Sequence, residues 1–282
     1  MTDNTDQVEF WNSSGADRWV RHQEIMDRSL EPYGQAVLQA ARPHKGERVV
    51  DVGCGCGWTS LEAAEAVGAG GAVLGVDVSA PMLDRARQRA KARGLSHATF
   101  TVADASAHPF EGHFDLLMSR FGVMFFGDPT AAFANLRRAL RPGGRLAFAC
   151  WAPVAENPWF RVAMAAAGTV VPLPEPTPPG APGPFAFADP ERVQGILQGA
   201  GFADVSIEAF SPDFMLGPDL ETAATHGVET GPVTRVLGGV DAATIARVRT
   251  ALRDALKPYL GPSGVALPSK TWIVRGVSRG TP

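Results

Sequence analysis

The stretch 48–60 constrains the fold most strongly, because it joins an apolar run to a helix-forming segment through alternating glycines. The run before the glycines is rich in valine, which predicts a strand buried on both faces. Gly53, Gly55 and Gly57 let the backbone turn tightly and approach a ligand closely. The following helix offers free N–H groups and partial positive charge at its start. This order predicts the first unit of a nucleotide-binding α/β fold.

A second predicted strand lies within residues 71–79, and the acid near its end is Asp77. Asp77 follows the glycine turn by about one strand–helix step, where a carboxylate can accept hydrogen bonds from both hydroxyls of a ribose. A dinucleotide-binding fold requires the spacing G-x-G-x-x-G, but Trp58 stands at the third glycine position. The spacing in this chain is G-x-G-x-G, preceded by Asp51.

The run from Asp51 to Gly57, together with Asp77, resembles motif I and the ribose-binding acid of class I S-adenosylmethionine (SAM) dependent methyltransferases. The segment 140–146, with its Pro-Gly-Gly turn, is similar to the family's pattern before the fifth strand. The resemblance extends from residue 48 to about residue 151 and includes at least four motifs in the expected order.

The resemblance implies an α/β, Rossmann-like fold with a seven-stranded, mostly parallel sheet and helices on both faces. Residues 8–41 are predicted to be helical, with Pro32 starting a second helix. We expect residues 1–45 to form an N-terminal helical lid and residues 46–282 to form the SAM-binding methyltransferase domain. A helical insertion is expected at about 217–262, before the last strand.

Several cofactor contacts are implied by the resemblance. Asp104 would accept a hydrogen bond from the adenine amine, and the backbone N–H of Ala105 would donate to the ring. Met82 would pack against adenine or ribose, although an apolar residue at that helical position also suits the core. The expected cofactor-binding residues are Asp51, Gly53, Gly55, Asp77, Val78, Met82, Asp104, Ala105, Ser119, Arg120, Trp11 and Trp19.

Two of these assignments have explicit alternatives. Arg120 ends an apolar strand, where an unpaired buried charge is costly. It is a candidate partner for the methionine carboxylate of SAM or for an anionic acceptor, and a structural salt bridge is the alternative. Trp11 and Trp19 on the lid either face the cofactor and acceptor or pack against the sheet.

Acceptor contacts are expected beyond the carboxyl ends of the strands, where α/β sheets bind ligands. Phe121, Phe125, Trp151 and Trp159 are the candidates for an apolar wall there. The segment 172–184 is dense in proline and predicts an ordered surface loop.

Methyl transfer from a sulfonium requires alignment and exclusion of water, and it needs a base only when the nucleophile arrives protonated. The catalytic residues are therefore not identified by the motifs. His22 on the lid and His226 in the insertion are candidate general bases. The three cysteines and six histidines form no metal-ligand pattern, so no metal is expected.

The amino-acid composition limits which kinds of binding partner are expected. A net charge of −3 offers no basic surface for a phosphate backbone, so nucleic acid is not an expected partner. The chain has no apolar run long enough for a membrane span, and its polar N-terminus lacks the order of a signal peptide. We therefore expect a cytoplasmic protein, with the insertion as a candidate surface for the acceptor or for a second subunit in a homodimer.

These observations predict methyl transfer from SAM to a small-molecule acceptor, through oxygen, nitrogen, carbon or sulfur, by in-line displacement. The resemblance is to the broad group that includes ubiquinone and menaquinone methyltransferases. The run Ser119-Arg120-Phe121-Gly122 replaces the Asn/Asp-Pro-Pro-Tyr motif of enzymes that methylate amino groups in nucleic acids. The alternatives are an NAD-dependent oxidoreductase, against which Trp58 argues, and a SAM-binding protein with another role.

Overall fold

A computed structural model describes residues 5–12, 14–111 and 113–279 of the chain. Its strands are β1 (Arg48–Val52), β2 (Ala72–Asp77), β3 (Ala98–Val102), β4 (Phe114–Arg120), β5 (Leu140–Trp151), β6 (Phe202–Phe210), β7 (Asp213–Gly217), β8 (Leu260–Gly261), β9 (Gly264–Pro268) and β10 (Thr271–Ser278). Seven of them form the central sheet in the order β3-β2-β1-β4-β5-β10-β6. The pairs among β1 to β5 are parallel, and β10 runs antiparallel to β5 and β6. The predicted seven-stranded, mostly parallel sheet is confirmed.

The helices are α1 (Thr5–Trp11), α2 (Ser14–Arg21), α3 (Gln23–Ala41), α4 (Trp58–Val67), α5 (Ala80–Ala92), α6 (Pro129–Ala139), α7 (Pro158–Gly168), α8 (Pro190–Gly199), α9 (Leu220–Glu229) and α10 (Ala242–Leu256). Polar side chains cap the starts of several of them. Ser79 accepts a hydrogen bond from the backbone N–H of Met82, and Asp128 accepts one from Ala131. In both helices a proline occupies the first turn, where its missing N–H costs nothing. None of the helices in the described ranges is long and apolar enough to cross a membrane.

Helices cover both faces of the sheet, because successive side chains of a strand point to opposite sides. In β4, Leu116 and Met118 are buried in the core formed with α3, α4 and α5. Leu117, between them, packs into the opposite core with Phe133 of α6. A strand buried on both faces leaves only its ends free to contact ligands, which places the site at the carboxyl edge.

Helix α3 differs from the prediction at Pro32. The helix continues from Gln23 to Ala41 with the proline inside it, so the expectation that Pro32 starts a helix was wrong. Leu30 before the proline and Tyr33 after it are both buried against the core. Packing on both sides of the proline outweighs its cost within a helix, about 3 kcal/mol.

The segment between β6 and β10 contains the expected helices, α9 and α10, and also a second sheet. This sheet has three strands in the order β7-β9-β8, all antiparallel. The sequence analysis did not predict these strands. Helix α10 packs against α9 and α7, and α9 packs against β7, so the insertion forms a compact layer beside the carboxyl edge of the central sheet.

Candidate functional site

A cavity of about 700 Å³ opens at the carboxyl edge of the central sheet. It is enclosed by the glycine turn, the N-terminal helices, the proline-dense segment and the insertion. The predicted site residues that line it are Trp11, Trp19, Gly53, Gly55, Asp77, Val78, Met82, Asp104, Ala105, Arg120, Phe121, Phe125, Trp151, Trp159 and His226. Residues far apart in the chain thus meet around one space.

The glycine turn is held between two neighbouring strand ends. The backbone N–H of Gly53 donates to the carbonyl of Val76 at 2.8 Å. Gly53 has a φ of +66°, and a Cβ at this position would lie 2.6 Å from the Cα of Gly122. The close approach of these two glycines brings the exits of β1 and β4 together.

Asp77 fastens the turn from the end of β2. Its Oδ2 accepts the backbone N–H of Gly55, and its Oδ1 accepts that of Ser79, both at 2.9 Å. Burial raises the pKa of Asp77, and these backbone donors oppose the rise. Because a carboxylate oxygen has two lone pairs, each oxygen retains capacity for a ligand hydroxyl.

Asp51 and Ser119 were expected to contact the cofactor, but neither lines the cavity. Asp51 is fully buried beneath the turn, where its Oδ2 accepts hydrogen bonds from Thr59 Oγ1 and Ser60 Oγ, both at 2.6 Å. Ser119 Oγ donates to the carbonyl of Val52 at 2.7 Å and accepts from Gly122. Both side chains therefore stabilise the turn from below.

The environment of Asp51 shifts its ionisation. Burial raises the pKa of Asp51 to about 6, while the two hydroxyl donors oppose the rise. Its Oδ1 is buried and has no hydrogen-bond partner within the described residues.

Asp104 and Ala105 lie at the end of β3, on the same side of the cavity as Met82. Asp104 Oδ1 accepts the backbone N–H of Ser106 at 2.9 Å, which holds the carboxylate at the cavity wall. The Met82 side chain lies beside the glycine turn, since a Cβ on Gly55 would be 2.8 Å from Met82 Cε.

Arg120 presents its guanidinium to the cavity. It lies 5.5 Å from the ring centroid of Trp58 and donates one long hydrogen bond, 3.4 Å, to the carbonyl of Leu30. Across residues 5–12, 14–111 and 113–279 no carboxylate forms an ion pair with it, and nearby Asp27 is bound by Arg89 at 2.7 Å. Burial lowers the pKa of Arg120, with Asp27 and Asp51 opposing. The structural salt bridge considered for Arg120 is thus not found among these residues.

The N-terminal helices cover the glycine turn. Trp11 and Trp19 stack edge to face at 5.6 Å, and both line the cavity. Asn12 anchors this part of the chain to the start of α5, because its amide donates to the carbonyl of Val78 at 2.9 Å and accepts from Ala80.

Aromatic rings dominate the opposite end of the cavity, here called the aromatic end and defined by Phe121, Trp151, Trp159 and Phe214. Phe121 and Trp151 stack in parallel at 4.3 Å, and Trp159 and Phe214 stack at 4.9 Å. Such an arrangement presents flat apolar surfaces and few hydrogen-bonding groups. With Trp11, Trp19 and Trp58, five of the six tryptophans of the chain line the cavity.

Some lining residues were missed by the sequence analysis. Phe214 and Leu216 come from β7, an unpredicted strand, and Met26 was interpreted only as part of a helical apolar face. Residues 174–181 and 183–186 also line the cavity, although the proline-dense segment was predicted to be a surface loop. The prolines of this segment do not indicate which of its residues face the cavity.

The two histidine candidates have different positions. His22 does not line the cavity and pairs with Glu229. His226 is only 4% exposed and lines the cavity. Its Nδ1 lies 2.9 Å from the carbonyl oxygen of Leu216, and its Nε2 lies 3.0 Å from Met26 Sδ. Over the part of the chain that the structure describes, no group of three or more metal-ligating side chains is assembled.

The protein combines a mostly parallel sheet with a G-x-G-x-G turn at the end of β1 and an acid at the end of β2. These features define a nucleotide-binding α/β protein of the methyltransferase type. Comparison with known families supports this assignment, since residues 49–144 match the methyltransferase domain family. Residues 49–144 thus carry a methyltransferase domain, and the fold and motifs around it are those of the class I SAM-dependent methyltransferases.

Two relatives support this assignment, and a solved structure shares the fold. Aklanonic acid methyltransferase DauC of Streptomyces sp. (strain C5) is 40% identical over 118 residues, which cover 42% of this chain and 54% of the relative. Nocamycin O-methyltransferase of Saccharothrix syringae is 31% identical over 185 residues, 62% of this chain and 66% of the relative. The chain thus spans about half to two thirds of these relatives. The YcgJ protein of Bacillus subtilis shares the fold, with a TM-score of 0.57 at 18% identity over 89% of this chain and 100% of that one.

Proposed function

We propose that this protein transfers the methyl group of SAM to an oxygen atom of a flat, largely aromatic small molecule. The observation that carries the proposal is one continuous cavity with a polar, glycine-lined end and an aromatic end. The first end suits SAM, and the second suits an apolar acceptor placed in line with the methyl group.

The glycine-lined end offers a partner for each part of SAM. Asp77 would accept the ribose hydroxyls, and Asp104 with Ala105 would recognise the adenine edge. Arg120 would pair with the methionine carboxylate, because its guanidinium lies beside Trp58 at the start of α4 and has no carboxylate partner in the described ranges. Trp11 and Trp19 would cover the bound cofactor.

The aromatic end favours a planar acceptor. Stacked rings at Phe121 and Trp151 contribute dispersion and exclude water, while few polar groups there would pair with a charged acceptor. Excluding water and aligning the nucleophile with the methyl carbon and sulfur supply much of the lowering of the barrier.

The names of the relatives support the choice of oxygen. One is named for aklanonic acid and the other is named as an O-methyltransferase. The comparisons give no support for an NAD-dependent oxidoreductase, and Trp58 argues against it.

The proposed methyltransferase function also suggests a domain organisation, a cellular location and a set of partners. Residues 1–45 act as the lid and residues 46–282 as the methyltransferase domain, with the insertion closing the acceptor side. A cytoplasmic setting, a homodimer through the insertion and the exclusion of nucleic acid by a net charge of −3 remain predictions.

The first test is calorimetric titration with SAM, its demethylated product and NAD in parallel. We expect micromolar binding of SAM and of the product, and none of NAD. Incubation with SAM and a matched pair of acceptors, a hydroxyanthraquinone and the corresponding aminoanthraquinone, then tests the acceptor atom by mass spectrometry. Methylation of the hydroxyl compound supports the proposal. Binding of NAD, or faster methylation of the amine, would overturn it.

A further inference from the structure

His226 is the histidine whose ring enters the cavity, and its two nitrogens have different surroundings. Nδ1 faces the carbonyl oxygen of Leu216 at 2.9 Å. A carbonyl oxygen only accepts hydrogen bonds, so the proton of the neutral ring resides on Nδ1. This contact fixes the tautomer and leaves the lone pair on Nε2.

Nε2 has no proton donor among the described residues. Its neighbour at 3.0 Å is the Sδ of Met26, a weak acceptor that has no hydrogen to donate. Because the methionine side chain is flexible, it can turn aside to let a hydroxyl group reach Nε2. His226 and Met26 both line the cavity, and Phe214, two residues before Leu216 on β7, belongs to the aromatic end. A buried nitrogen acceptor therefore lies beside the space proposed for the acceptor molecule.

The ring is held in its neutral form. Burial lowers the pKa of His226, and His22 lowers it further. The hydrogen bond to Leu216 and the charge of Glu229 both act to raise the pKa, but the net shift is downward. The charged groups acting on His226 are therefore His22, which precedes α3, and Glu229 at the end of α9, and these two pair with each other. A neutral imidazole has a lone pair available to accept a proton during the reaction.

The position relative to the cofactor follows from helix α3. Met26 contacts His226, and Leu30, one helical turn later, accepts the hydrogen bond from Arg120. Residues four apart on a helix are about 6 Å apart on the same face. The histidine and the guanidinium proposed to hold SAM therefore contact successive turns of α3, and both residues line the cavity.

We propose that His226 is the general base that removes the proton from a neutral hydroxyl group of the acceptor during methyl transfer, an inference that rests on the proposed function. The hydroxyl proton passes to Nε2 as the oxygen forms a bond to the methyl carbon. The bond from that carbon to sulfur breaks, and its electron pair remains on sulfur, which becomes a neutral thioether. The imidazolium then releases its proton to solvent.

This inference specifies the acceptor class. A carboxylate or a strongly acidic enol ionises in solution and needs no base, whereas an ordinary phenol is neutral at pH 7. The acceptor is therefore expected to be a phenolic or similar hydroxyl on a flat ring system.

The test compares two phenols in wild type and in His226→Asn. The asparagine amide retains a donor for the carbonyl of Leu216 but provides no base at the position of Nε2. The probes are 1-naphthol, which is neutral at about pH 7, and 2,4-dinitro-1-naphthol, which is an anion there. The kcat/KM for 1-naphthol is expected to fall by about 100-fold or more, and that for the anion by only a few-fold.

The matched control is His97→Gln. His97 also contacts a backbone carbonyl, that of Ala64 at 2.8 Å through Nε2, but it does not line the cavity. This variant is expected to retain both activities. SAM affinity and unfolding temperature check that each variant is folded, and His226→Gln serves as a second variant if His226→Asn fails to fold.

Each outcome has a clear meaning. Equal losses for the two phenols in His226→Asn would overturn the role of base. In wild type, kcat/KM for 1-naphthol should decline below the pKa of His226 as the pH falls, and the absence of this decline would overturn the inference without any variant. Binding of SAM with methylation of neither phenol by wild type would instead count against the proposed function itself.

Discussion

At the level of single residues, the Asp77 carboxylate has two roles. It accepts hydrogen bonds that hold the glycine turn, and it is proposed to bind the ribose of SAM. Asp77→Asn would replace one oxygen by an NH₂ group that faces a backbone N–H of Gly55 or Ser79. We expect SAM affinity to fall by about 30-fold or more, about 2 kcal/mol, as measured by calorimetry. The exposed Asp84→Asn on α5 removes the same charge and should bind SAM normally. Unchanged affinity in Asp77→Asn would refute the ribose assignment.

Asp51 predicts a pH dependence of stability. Its pKa is raised from 3.8 to about 6 in the folded protein, so the native state binds the proton more tightly than the unfolded state. The resulting stabilisation is complete below pH 3.8 and is lost as the pH rises through about 6. The loss amounts to about 3 kcal/mol at 1.36 kcal/mol per pKa unit.

The Asp51→Asn variant lacks this titration. Relative to wild type, its free energy of unfolding should therefore improve by about 2 kcal/mol between pH 4 and pH 7, because part of the titration lies below pH 4. Denaturant unfolding at a series of pH values measures the difference. A gap between the two proteins that does not vary with pH would show that Asp51 is ionised in the folded state throughout this range.

Single residues also show the limits of sequence interpretation. The motif spacing predicted which residues gather at the glycine turn, and Asp77, Asp104 and Arg120 do line the cavity. It did not predict that Asp51 and Ser119 face away from it, because a motif records position along the chain and not the direction of a side chain.

At the level of elements, the contact between the exits of β1 and β4 predicts the effect of Gly53→Ala. The added Cβ would meet the Cα of Gly122 at 2.6 Å, and both backbones are fixed by their strands. We expect a loss of unfolding free energy beyond the 1–2 kcal/mol that a left-handed alanine costs, together with loss of SAM binding.

Gly94→Ala is the matched control for this substitution. Gly94 has a φ of +69°, close to the +66° of Gly53, but no atom lies within 4 Å of its ideal Cβ. The difference between the two variants in thermal or denaturant unfolding therefore isolates the contact from the backbone strain. Equal stability losses would show that the two strand exits separate freely.

Elements differ in how well the sequence predicts them. Strands β1 to β5 were predicted from apolar runs bounded by turns, and the inner strands β1 and β4 are buried along most of their length. The edge strand β3 exposes Thr99 and Val102 but keeps Ala98 and Phe100 buried. Strands β7, β8 and β9 are short and pair only with each other, so their residues lack such a run. Pro32 was misjudged because the local preference of proline is outweighed by the burial of both halves of α3.

At the level of the whole molecule, the two ends of the cavity have different origins. The glycine-lined end comes from consecutive strand ends of one motif, so the sequence was sufficient to predict it. The aromatic end combines Phe121, Trp151, Trp159 and Phe214 from separate segments. Their proximity depends on how the insertion docks on the sheet, which no local pattern specifies.

Because five tryptophans line one cavity, the intrinsic fluorescence of the protein should report ligand binding. Indole emission depends on the polarity and the stacking partners of the ring, so SAM should change the fluorescence through Trp11, Trp19 and Trp58, and a planar acceptor through Trp151 and Trp159. Trp272 lies outside the cavity, bound to the carbonyl of Ala188. Trp272→Phe should therefore lose background emission and keep both responses. If Trp272→Phe abolished both fluorescence responses, the signal would originate away from the cavity.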